Sequence, residues 1–197
     1  MTNNVLNYFE QPGTDKDNAL VIGGSLKTTK NVGTAGTGVT AVNYGDGYKN
    51  TAVLTLDTTL PAIAGGASLA VGKLLYTLPT GAVIIDSAYM SVAITQTEGN
   101  ITADTPDVGI GTVIGSGAVV VLGGTATFEN IITGQTATNC SGTATVKTSI
   151  PTAAVPLVIE TAGAKTIYLN VADGWAASGD SAALLTGTVV INYTFMA

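Results

Sequence analysis

Residues 184–195 (LLTGTVVINYTF) alternate two sets of side chains along their whole length: Leu185, Val189, Ile191, Tyr193 and Phe195 on one, Thr186, Thr188, Asn192 and Thr194 on the other. A strand repeats every two residues and a helix every 3.6, so this segment can bury its apolar set only as a strand. No other part of the chain offers a helical period. Thr, Val, Ile and Gly abound, and the good helix formers Glu, Gln and Arg are scarce or absent.

Further strands follow from the same reasoning. Residues 82–95 (AVIIDSAYMSVAIT) form an apolar run that gives way to alternation, after a Leu78-Pro79-Thr80-Gly81 turn. Residues 107–114 (DVGIGTVI) set Val108, Ile110, Thr112 and Ile114 on one face and glycines on the other. Residues 118–128 join AVVVL to TATF across Gly123-Gly124, a bulge or hairpin break. Residues 51–56 and 141–149 each read as a strand, and residues 157–171 read as a hairpin turning at 161–165. Residues 173–180 (DGWAASGD) read as a long loop or a single helical turn before the final strand. About seven strands with Gly-rich turns and no helices between them predict an all-β fold. The expected architecture is an antiparallel β-sandwich, jelly-roll-like, occupying residues 73–197. Residues 46–72 hold one strand and a low-complexity connector. Residues 1–45, rich in Gly, Thr and Ala after a polar start, are expected to form an extended N-terminal arm that orders on a partner.

Composition removes several functions. The 197 residues contain no His, and all seven basic residues are Lys. That excludes imidazole acid–base chemistry, His-dependent triads and guanidinium clamps on phosphate. A net charge of −6 repels nucleic acid. Charged residues make up 10% of the chain, against about 25% in ordinary soluble domains. A surface so short of charge is expected to lie against other protein, including copies of itself. The start MTNNVLNYFE has neither a basic nor an apolar signal region, and no apolar run reaches the roughly 18 residues that a membrane span needs.

Candidate chemistry is sparse. Asp104 and Asp107 flank a Thr-Pro pair, and Asp173 and Asp180 flank Trp175, but neither pair carries the further oxygen ligands that a calcium site requires. We expect solvated turns there, no metal, no cofactor and no catalytic residue. Cys140, the single cysteine, reads as a small packing residue. The Gly-rich stretch 33–38 lacks the GK[ST] ending of a phosphate loop. Trp175 has two readings: a cap on the core, or an exposed anchor that would bind a partner or a carbohydrate together with Tyr89 or Tyr168.

Several short motifs resemble the small structural proteins of tailed bacteriophages. These are Asn7-Tyr8-Phe9-Glu10-Gln11-Pro12-Gly13, Val21-Ile22-Gly23-Gly24-Ser25-Leu26, Leu78-Pro79-Thr80-Gly81-Ala82-Val83-Ile84, Asp107-Val108-Gly109 and residues 185–191 (LTGTVVI). Pro12 and Phe9 depart from the usual pattern. The resemblance implies a non-enzymatic, β-rich capsid decoration or cement protein. It would be made in the host cytoplasm, carried on the virion surface, trimeric, and bound to the major capsid protein. On that expectation Tyr8, Phe9, Val21, Ile22 and Leu26 are the capsid contacts of the arm. The alternative is a fibre, neck or adhesion module that touches carbohydrate.

Overall fold

The computed structural model describes residues 27–63, 70–117, 121–124, 126–141, 146–148, 157–159, 165–175, 179–180 and 182–196. Among these, the strands are β1 (Thr34–Ala35), β2 (Val39–Gly45), β3 (Lys49–Thr59), β4 (Val71–Thr77), β5 (Val83–Thr95), β6 (Asp107–Gly111), β7 (Ile132–Thr136), β8 (Val146–Thr148), β9 (Leu157–Ile159), β10 (Thr166–Ala172) and β11 (Leu184–Phe195). One sheet runs β1-β4-β10-β6-β7 and the other β2-β3-β11-β5-β8. β11 pairs with β5 along its whole length, so β8 and β9 share the opposite edge of β5.

The connectivity is that of one folded ribbon. β6 pairs with β7 at its tip, and behind the tip β5 pairs with β8, β4 with β10, and β3 with β11, all antiparallel. Successive rungs fall on alternate sheets. An eight-strand ribbon wound this way across two sheets is a jelly roll, as expected from the strand count. β1 and β2 extend it by one strand at the edge of each sheet, and β9 is an addition to β5.

Alternation explains the core. β3 turns Ala52, Leu54 and Leu56 inward, and β11 turns Leu185, Val189 and Ile191. They meet Ile167, Leu169 and Val171 of β10 and Val108 and Ile110 of β6 in one cluster. β5 changes parity part-way, because Val83 and Ile85 are buried before Asp86, whereas Ala88, Met90, Val92 and Ile94 are buried after it. The register against β11 slips at this point: Asn192 opposes Ser87 and Tyr193 opposes Ile85. Asp86 is therefore the extra residue of a β-bulge, which is why the sequence reads first as a run and then as an alternation.

Four sequence expectations are corrected. Residues 34–45 are strands of the sandwich and not part of an arm, so the sandwich begins well before residue 73. Its beginning is held by a polar network at one end of the core. Tyr76 Oη accepts from the Gly33 amide at 2.7 Å and donates to Asn43 Oδ1 at 2.8 Å. Tyr193 Oη and Asn50 Nδ2 both donate to the Asn31 carbonyl at 3.2 Å. Second, residues 157–171 are not a hairpin. β10 is already flanked by β4 and β6, so β9 pairs with β5 in the other sheet. Third, β6 ends at Gly111, and Val113 and Ile114 lie exposed beyond it. Fourth, the described part of 118–128 consists of two short 3-10 turns, Leu122–Gly124 and Ala126–Phe128, in place of a strand.

The last two corrections have one cause. The excursion between β6 and β7 folds back over the outward face of its own sheet. Asn170, fully buried, projects from β10 and pins it: Oδ1 accepts from the Gly115 amide at 2.8 Å, and Nδ2 donates to the carbonyls of Val113 at 2.9 Å and Phe128 at 2.7 Å. The glycines of β6 admit this cover. A Cβ on Gly111 would stand 2.3 Å from the Phe128 backbone.

Candidate functional site

The two outward sheet faces differ. The β4-β10-β6 face lies under the described residues of the excursion, 112–117 and 126–131, whereas the β2-β3-β11-β5 face carries exposed Thr40, Thr55, Asp57, Thr59, Tyr89 and Ser91. Register orders the open face into cross-strand rows. Val42, Val53, Val190 and Tyr89 form one row, and Tyr44, Thr51, Asn192 and Ser87 form the next. Thr40, Thr55, Thr188 and Ser91 form the row on the far side of the apolar one.

At the polar row the face opens into a cleft of about 400 Å³ lined by Tyr44, Lys49, Thr51, Asp86 and Asn192. The β2–β3 turn shapes one wall. Asp46 Oδ1 accepts the amides of Tyr48 and Lys49, each at 2.8 Å, and Gly45 and Gly47 take positive φ (139° and 89°). Those two amides hold the Asp46 carboxyl below its ordinary value, the Lys49 amide most strongly. The bulge at Asp86 shapes the opposite wall. Between them a hydrogen-bonded chain crosses three strands: Thr51 Oγ1 donates to Asn192 Oδ1 at 2.7 Å, and Asn192 Nδ2 donates to Ser87 Oγ at 2.9 Å. Thr194 Oγ1 donates to Asp86 Oδ2 at 2.8 Å.

Each residue singled out from the sequence has a place or lies outside the described region. Tyr8, Phe9, Val21, Ile22 and Leu26 fall outside the described residues. Trp175 is half-buried against the main core, and its Nε1 is a buried donor without a hydrogen-bond partner among the described residues. Tyr89 lies exposed on β5 of one sheet and Tyr168 half-buried on β10 of the other. Asp107 accepts from Thr136 Oγ1 at 2.7 Å, and Asp173 Oδ1 accepts from the Gly174 amide at 2.8 Å. Asp180 is 1% exposed and bridges two loops, taking the Thr97 amide at 2.9 Å, the Thr97 hydroxyl at 2.9 Å and the Glu98 amide at 3.2 Å. Burial opposes its charge, but these donors outweigh burial and lower its pKa. Among the described residues no three His, Cys, Asp or Glu side chains gather as a metal site.

Cys140 is fully buried. Burial first, and then the charge of Asp104, push its thiol up to about 12, so it stays protonated and unreactive. Burial also raises the phenols of Tyr76 and Tyr193. They serve as neutral hydrogen-bonding groups of the core.

The chain matches no protein-family model and no curated protein sequence. Two solved structures show a distant likeness. A chain of the cyanophage Pam1 capsid asymmetric unit is 16% identical with a TM-score of 0.38, covering 94% of this chain and 100% of that one. An arabinose-bound MgGH51 α-L-arabinofuranosidase is 15% identical with a TM-score of 0.35, covering 82% of this chain and 23% of the enzyme. Likenesses this remote leave function to be argued from the chain's own residues.

Proposed function

We propose that the chain is a non-enzymatic structural protein of a tailed-phage virion, a capsid decoration or cement protein bound to the major capsid protein. The observation that supports this most is the pairing of a jelly roll with a chain poor in ionic side chains: 13 acids and 7 lysines in 197 residues. Fixed charge keeps a lone domain soluble and apart from its neighbours, and interface cores are depleted in it. A symmetric trimer bound at many equivalent sites gains affinity through repetition, without needing any single strong contact. In this reading residues 1–26, with Tyr8, Phe9, Val21, Ile22 and Leu26, grip the shell, and the open sheet face points away from it. The protein is then located on the virion surface and takes no part in catalysis.

Deleting residues 1–26 tests the reading. The shortened chain is expected to keep its folded oligomer by light scattering and to lose attachment to capsids. Unchanged occupancy on capsids would refute the assignment of the arm.

A further inference from the structure

We propose that the cleft lined by Tyr44, Lys49, Thr51, Asp86 and Asn192 binds a neutral saccharide. The idea holds whether or not the chain sits on a virion. Four features carry it. The first is size: about 400 Å³ lies at the lower end of the range for small-ligand sites and suits one or two sugar rings. The second is length. The polar row crosses β2, β3, β11 and β5, three inter-strand steps, or roughly 14 Å at the usual sheet spacing.

The third is hydrogen-bonding capacity. A sugar presents adjacent hydroxyls that each donate and accept. Asn192 and Thr51 offer an amide and a hydroxyl side by side, already oriented by their mutual bond at 2.7 Å. Ser87 fixes the amide orientation from the other side. Side chains fixed in advance lose little freedom on binding, which favours weak polar ligands. Asp86 adds a carboxylate that accepts strongly from hydroxyls.

The fourth feature is the balance of charge and aromatic surface. Lys49 and Asp86 both line the cleft and contribute one charge of each sign, so the site suits neither an anion nor a cation. A phosphate would meet the Asp86 carboxylate, and a divalent cation would find only one carboxylate. Tyr44 lies at the end of the row and presents an aromatic surface with a polar tip, the kind of group on which the C–H face of a pyranose packs. The neighbouring row Val42, Val53, Val190 and Tyr89 extends that apolar surface along the sheet.

The test is an amide-resolved NMR titration of the full chain. The probes are neutral di- and trisaccharides of glucose, galactose, mannose, N-acetylglucosamine and arabinose, with sialyllactose and glucose 6-phosphate as anionic counterparts. At least one neutral probe is expected to give saturable shifts confined to Thr51, Asp86, Ser87 and Asn192 and their neighbours. Asn192→Ala and Tyr44→Ala should each weaken that binding about tenfold, roughly the loss of one or two good contacts. Thr51→Val keeps the shape of the strand and should weaken it as well, which guards against misfolding of the other variants. Tyr168→Ala, on the other sheet, should leave it unchanged. The proposal is overturned if no neutral probe gives saturable shifts up to roughly 50 mM, well above the millimolar end of the affinity scale. It is also overturned if shifts centre on Trp175 or Tyr168, or if an anionic probe binds as well as its neutral counterpart.

Discussion

Replacing Asn170 should loosen one whole cover of the sandwich. The side chain is fully buried and commits both amide N–H groups and its carbonyl oxygen to the excursion after β6, through one accepted and two donated bonds of 2.7–2.9 Å. Asn170→Leu preserves the branched shape and removes all three bonds. The Gly115 amide and the Val113 and Phe128 carbonyls then lose their partner beneath the cover. At about 1 kcal/mol per bond the loss is roughly 3 kcal/mol, a sizeable fraction of a typical domain's stability. Urea unfolding reads the global part of this loss. Hydrogen exchange reads the local part, with the Gly115 amide expected to exchange far faster in the variant. The jelly-roll strands should remain, because Asn170 points away from the main core. A variant that loses less than about 1 kcal/mol and still protects the Gly115 amide would refute the claim that Asn170 holds this cover in place.

Other substitutions probe the core, the cover and the buried titratable groups. Leu54→Ala, at a site with no solvent exposure, should cost about 2–5 kcal/mol in urea unfolding. Gly111→Ala forces a Cβ to within 2.3 Å of the Phe128 backbone and should expose the 112–131 segment to limited proteolysis while leaving far-ultraviolet circular dichroism β-rich. Cys140 should resist a thiol reagent at pH 8 in the native protein and react promptly once unfolded, because its thiol is buried and pushed up to about 12. Asp180 is held below its ordinary value of 3.8, so its contribution to stability is present above that value and lost as pH falls through the lower, folded one. The melting temperature should therefore decline below about pH 4, and Asp180→Asn should flatten that decline.

Much of the fold was legible because two-residue alternation survives wherever a strand has one buried face. β11 and β5 are readable along essentially their full length, whereas only residues 51–56 of β3 are. The failures have physical reasons. A bulge such as that at Asp86 shifts parity and can be located only against a partner strand. Partner choice itself is non-local: β9 and β10 are near in sequence, yet β10 has both edges filled by β4 and β6. Residues 112–114 read as strand because Val113 and Ile114 are β-formers, but the bonds from Asn170 to this segment override that propensity. The network of Asn31, Asn43, Asn50, Tyr76 and Tyr193 gathers residues distant in the chain, so the Gly-rich stretch after residue 27 looked too poor in apolar surface to fold. The cleft was partly within reach. Alternation places Asn192 and Thr194 outward, and the Gly-Asp-Gly at 45–47 is a turn signal between two alternating segments. What joins Asn192 to Thr51 and Tyr44 is register, which one strand does not reveal.

A cryo-electron microscopy reconstruction of the proposed parent virion tests the central claim most directly. The account predicts jelly-roll density on the outside of the head in symmetric clusters, with residues 1–26 against the shell and the Tyr44–Asn192 face turned to solvent. Purified particles that lack the chain, together with a lone soluble monomer that converts a small substrate, would contradict it.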